Sequence, residues 1–129
     1  MFAIAGATGL LIGLVVTVLN NKPLMQLHRA RRELQKIVRR SFPTTKVFTF
    51  GGVYVHPDIW IATTTDVERD RLQQDTNLIR QFRAVLLQVG YPAEDVPLVQ
   101  FVFESQEAVD KGFDGSWSQR RYVWHRDRF

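Results

Sequence analysis

The chain of 129 residues has no cysteine. That excludes disulfides, a thiolate nucleophile and thiolate metal sites, and it fits a reducing compartment. Its three histidines, His28, His56 and His125, lie far apart without repeated spacing, so no histidine-based metal motif is present. Internal repeats and low-complexity linkers are absent too. Two further absences are local. Residues 2–19 contain no charged side chain and only Thr8 and Thr17 as polar ones. Residues 22–46 hold a single acid, Glu33, against eight basic side chains, a net +7, whereas residues 47–129 hold nine basic and twelve acidic groups, a net −3.

The uncharged stretch FAIAGATGLLIGLVVTVL would span roughly 27 Å as a helix, close to the ~30 Å hydrocarbon core of a bilayer. No Lys or Arg precedes it, and it ends in VLNNK, a poor cleavage site, so it reads as an anchor rather than a removed leader. Basic residues that flank a span stay on the cytoplasmic side. The expectation is therefore a single-pass inner-membrane protein with its N-terminus outside and everything after Asn20 in the cytoplasm. Gly9 and Gly13, extended back by Ala5, form a small-residue stripe along which two such spans would self-associate.

Three segments follow from this: a transmembrane anchor over 1–21, a basic juxtamembrane helix over 22–43, and a cytoplasmic domain over 44–129. In the second, Pro23 suits a first helical turn and Phe42-Pro43 a stop. Leu27, Ala30, Leu34, Ile37 and Val38 share one side at helical spacing, while Arg29, Arg32, Lys36, Arg39 and Arg40 gather opposite. Such a helix lies on anionic headgroups, each nearby basic side chain contributing about 1 kcal/mol, or packs its apolar stripe on the next domain. No nucleic-acid-binding fold or base-stacking spacing accompanies the charge.

The third segment predicts an α+β fold: a small antiparallel or mixed sheet with one main packed helix. KVFTF, GVYVH and IWIATT read as strands punctuated by Gly51-Gly52 and Pro57-Asp58. Thr65-Asp-Val-Glu68 is a capping box that opens a helix, which restarts near Asp75-Thr76-Asn77. Leu78, Ile79, Phe82, Val85, Leu86 and Val89 then recur at helical spacing until Gly90 and Pro92 stop them. VPLVQFVFE predicts a last strand over Val96–Phe103.

FESQEAVDKGFDGSW carries the densest chemistry. Ser105 suits an N-cap, Glu107 a first helical turn and Gly112 a helix end. Three other readings remain open. Glu104 with Glu107 or Asp110 would be the acid and base of a membrane-associated hydrolase, if a cleft separated their pKa values. A calcium loop is disfavoured because Asp110–Asp114 lacks the full pattern. A partner surface would use Glu104, Glu107, Asp110, Phe113 and Trp117, acids around an aromatic centre. That reading needs no metal or cofactor and leans away from an enzyme. The tail SWSQRRYVWHRDRF interleaves Arg with Tyr122, Trp124 and Phe129, and reads either as a membrane-interface contact or as a last edge strand.

VHPDIWIATTTDVERDRLQQD, LLQVGYPAEDVP and FVFESQEAVDKGFDGSW together resemble a class of small uncharacterised bacterial proteins. In these, a helix ending in G-Y-P precedes a strand that runs into F-E-S-Q-E-x-V-D and a Gly-rich turn with Trp. The resemblance covers roughly residues 52–118, with Phe103–Asp110 its most specific part. It implies a protein-interaction module, in the style of immunity partners of secreted toxins. The N-terminal anchor and the basic tail depart from the soluble members.

Overall fold

The computed structural model describes residues 22–50 and 57–128. The expected anchor, Gly9, Gly13 and the GVYVH segment lie outside them. Among the described residues no helix is long and apolar enough to cross a membrane.

Among the described residues, five α-helices and three strands follow in the order α1 (Lys22–Arg39), β1 (Lys46–Phe50), β2 (Asp58–Thr63), α2 (Asp66–Gln74), α3 (Thr76–Gln88), β3 (Gln100–Ser105), α4 (Gln106–Phe113) and α5 (Trp117–Arg128). The α+β expectation holds, with a three-stranded sheet in the order β1-β2-β3. β1 runs antiparallel to β2, with Val47 opposite Ile61, and β2 runs parallel to β3, with Ile61 opposite Phe103.

Local chemistry sets the boundaries. The capping box forms: Glu68 N–H donates to Thr65 Oγ1 (3.3 Å), and Thr65 N–H donates to Glu68 Oε1 (3.0 Å). Asp75 divides α2 from α3 by accepting from the Asn77 amide at 3.0 Å. α3 closes in a Schellman motif, with Tyr91 N–H on Leu86 O, Gly90 N–H on Leu87 O and Gly90 at φ +90°. Three boundaries differ from expectation. α1 ends at Arg39 rather than running to residue 43, because Ser41 and Phe42 both turn back onto Val38 O. Val96–Leu98 is a 3-10 turn rather than strand, since Pro97 has no amide for a ladder, and β3 begins only at Gln100. Gly112 lies inside α4; the left-handed positions that end it are Asp114 (φ 55°) and Gly115 (φ 80°).

The sheet is covered on both faces, so every position of β2 is buried. Val47, Ile59 and Ile61 point one way, into a core with Leu27, Ala30, Leu34 and Val38 of α1 and with Leu78, Phe82 and Leu86 of α3. Two helices therefore share this core, where one was expected. α1 is an integral part of the fold, because its apolar stripe has nowhere drier to go than the sheet beside it. Leu34 is fully buried. Leu34→Ala is expected to lower the stability of the full chain in mild detergent by about 2–5 kcal/mol. Urea unfolding checks this, and a loss below about 1 kcal/mol would place α1 outside the cooperative unit.

Candidate functional site

The other face of the sheet carries Asp58, Trp60, Ala62 and Glu104, which the pairing sets side by side: Trp60 lies opposite Val102 and Ala62 opposite Glu104. α5 closes over this face. Its low net hydrophobicity means that charge and aromatic contacts, rather than an apolar stripe, must hold it there.

Glu104 is almost fully enclosed, its side chain only 9% exposed. Oε1 accepts from Arg69 Nη1 at 3.1 Å and from the Ser105 amide at 3.0 Å, and Oε2 accepts from Arg120 Nε at 2.7 Å. Arg69 also lies 3.3 Å from Asp66 Oδ1 and 3.0 Å from Asp70 Oδ1. Asp66 accepts the Ser105 hydroxyl, while Ser105 Oγ accepts from the Ala108 amide as the N-cap of α4. The network thus ties α2, β3, α4 and α5 to a single carboxylate.

The Ser105 hydroxyl above all, with Arg69 beside it, holds the Asp66 carboxyl below its ordinary value of 3.8, against a smaller opposing push from burial. A depressed folded-state pKa contributes stability that is fully present above the unfolded value and is lost as pH falls through the folded one. Denaturation midpoints taken from pH 7 down to pH 3 are therefore expected to fall less steeply for Asp66→Asn than for the native chain. Parallel curves would show that Asp66 contributes nothing to acid sensitivity.

The five expected partner residues do not all share one exposed face, although Gln106 joins Asp110 to Trp117 by hydrogen bonds to both. Glu104 is internal. Phe113 is half-buried beneath the Arg120 guanidinium, 5.6 Å from its ring centroid. Trp117 is half-buried, with its indole N–H on Gln106 Oε1 at 2.8 Å. Glu107 and Asp110 are exposed on α4. No hydrogen bond joins Glu104 to Glu107 among the described residues, and neither lines the concavities described below.

A second buried acid is Asp58, which in the sequence carries only a turn signal beside Pro57. Its side chain is 3% exposed, it accepts the Trp60 indole N–H, and His125 Nε2 and Arg121 Nε lie 3.4 and 3.8 Å from it. Trp60 meets Trp124 edge to face at 5.7 Å and Trp117 at 6.5 Å. α5 thus serves both acids, Arg120 on Glu104 and Arg121 with His125 on Asp58. The tail is a helix rather than a strand, and it is not free for the bilayer along its length: Trp124 is buried, whereas Tyr122 is exposed. The missed signal was spacing, since Trp117, Arg120, Arg121, Trp124 and Arg128 repeat every three to four residues.

Around β1 the surface is concave. Three adjoining hollows of about 240, 400 and 430 Å³ all include Phe48, which is 38% exposed. The smallest is aromatic, walled by Phe48, Phe50, Trp60, Trp117, Ser118 and Arg121. The second runs between α1 and β1 past His28, Arg31, Arg39 and Lys46, and the third reaches Thr44, Thr64 and Gln106. No acid lines any of the three. Arg121 stands 3.9 Å over the Phe50 ring. The outer edge of β1 is partly closed by α1, since Gln35 Oε1 accepts from the Val47 amide at 3.1 Å and Arg39 Nε donates to Thr45 O at 2.9 Å. The concave surface therefore presents side chains more than free strand edge. Phe48 and Phe50 were readable only as strand formers; their alternation in KVFTF was the available hint.

α1 sorts its polar residues into two stripes. His28, Arg31, Gln35 and Arg39 face the groove, and Arg29, Arg32 and Lys36, with Arg40 just past the helix end, are exposed about a quarter turn further round. Arg39, expected with the second set, belongs to the first by its hydrogen bond. Among the described residues no three acidic or histidine side chains are grouped so as to hold a metal ion. No protein-family model, curated protein or solved structure matches the chain.

Proposed function

We propose that this chain is a membrane-anchored, non-catalytic protein-interaction module that holds its partner in the groove around Phe48. Residues 2–19 anchor it in the inner membrane. Arg29, Arg32, Lys36 and Arg40 lie against anionic headgroups, with the partner-binding domain in the cytoplasm. Capture of a toxin by an immunity-like protein is one form of this role. The observation that carries the reading is the convergence of three hollows on one exposed phenylalanine, rimmed by cations and free of acids. An aromatic centre with a charged rim is how interface hot spots are built. Trp117 belongs to this surface; Glu104 serves it from within by holding α5 in place. The hydrolase reading has less support, because both oxygens of Glu104 are engaged by arginines and Glu107 stands apart on the surface.

Affinity recovery from detergent-solubilised membranes tests the proposal. Phe48→Ser is expected to lose proteins that both the native chain and Leu87→Ser retain, Leu87 being an exposed apolar residue of α3 outside the groove. Identical recoveries from all three would remove the groove as the contact surface. Extraction of the full chain by alkaline wash would remove the anchor.

A further inference from the structure

The groove reading leaves the chemistry of the partner open, and here the charge pattern is specific. The chain has 13 acids, twelve of them after residue 46, yet none lines the three hollows. His28, Arg31, Arg39, Lys46 and Arg121 do. Arg31 and Lys46 have no ion-pair partner among the described residues, although acids elsewhere, such as Glu104 and Asp58, are drawn into internal pairs. Resting on the interaction-module reading, we infer that the groove takes an acidic, extended segment of a partner protein, with one apolar or aromatic side chain seated in the hollow over Phe48 and Trp117.

The dimensions agree. At about 240 Å³ the aromatic hollow falls below the roughly 300–1,000 Å³ typical of small-molecule clefts. It is suited to a single anchoring side chain, while the two wider hollows continue the concavity toward α1 and toward Thr44 and Gln106. Acidic residues beside the anchor meet Arg31, Arg39 and Lys46 on the α1 flank, while Arg121, already beside Asp58 and over Phe50, closes the other flank. The groove stripe of α1 is thereby separated from the outward stripe assigned to headgroups, so one helix serves two anionic surfaces on different sides. Single-stranded nucleic acid fits less well, because stacking needs successive open ring faces. The Phe50 face is covered by Arg121, Trp60 is 1% exposed, and the Trp117 indole is tied to Gln106.

The test is selection of random dodecapeptides on the full chain in nanodiscs of neutral lipid. The expected pool is enriched in Asp and Glu around an aromatic or large aliphatic residue. Binding of the selected peptides is expected to fall about tenfold or more both for Phe48→Ser and for Arg31→Glu/Lys46→Glu. Peptides with their acids changed to Lys are expected to recover binding to the charge-reversed chain, which shows that the variant is folded. A Phe48-dependent pool with no excess of acids would overturn this inference and leave the interaction module standing. No enrichment over empty nanodiscs would overturn both. Tighter competition by a single-stranded oligonucleotide, by anionic-lipid nanodiscs, or by a second copy of the chain would assign the groove to that occupant and overturn the acidic-segment inference.

Discussion

Glu104→Ala is expected to lower stability by roughly 3–5 kcal/mol, the usual consequence of leaving a buried charge without its partner. Arg69 would keep Asp66 and Asp70, but Arg120, its side chain 19% exposed, would lose the one ion-pair partner it has among the described residues. For a domain of this size about 4–8 °C accompanies each kcal/mol, so a fall in Tm of roughly 12 °C or more should be visible by near-ultraviolet circular dichroism. Two companions separate charge from packing. Glu107→Ala, on the exposed first turn of α4, should change stability by no more than about 0.5 kcal/mol. Glu104→Met/Arg69→Leu/Arg120→Leu should recover much of the loss, because an apolar replacement of a whole buried network is often near neutral. If Glu104→Ala behaves like Glu107→Ala, the network is screened by solvent and does not hold α5 in place.

Trp60→Ala should be comparably severe but different in kind. Truncating a buried aromatic costs about 3–5 kcal/mol. Trp60 is 1% exposed, makes edge-to-face contacts with Trp117 and Trp124, lies 5.3 Å beneath Arg120, and donates to Asp58. All of these except the last join β2 to α5 or its first residue. The substitution is therefore expected to free α5 first: amide hydrogen exchange over 117–128 should accelerate well beyond that of α1, whose core lies on the opposite face of the sheet. Uniform acceleration across both helices would mean that the aromatic junction is not the local anchor of α5. Trp60→Phe keeps a ring but removes the indole donor, and should lose about 1–3 kcal/mol, the penalty for an acceptor short of one bond.

Much of the helical framework was legible because it is written locally. The capping box at Thr65–Glu68, the restart at Asp75, the Gly90 stop and the Ser105 cap depend on residues within a few positions of one another, and each formed as read. The apolar stripe of α1 was equally visible. Whether it met lipid or protein was not, since the stripe specifies only that something dry must cover it. The candidate site was harder to see. Phe48 and Trp117 are 69 positions apart in the chain, yet their rings are 6.5 Å apart. Asp58 looked like a turn residue because its partners, Arg121 and His125, stand more than sixty positions away on a helix that had been read as a tail.

By itself the sequence determined the starts of α2, α3 and α4, the stop of α3, the segments that hold the three described strands, and the uneven placement of charge, because capping, periodicity and composition act over one or two turns. Only the tertiary structure decided that α1 packs on the sheet, that Glu104 is an internal brace, and that Phe48, Trp117 and four cations share one surface. Those outcomes depend on which faces meet, and burial acts between whichever groups the chain brings together, regardless of their separation along it.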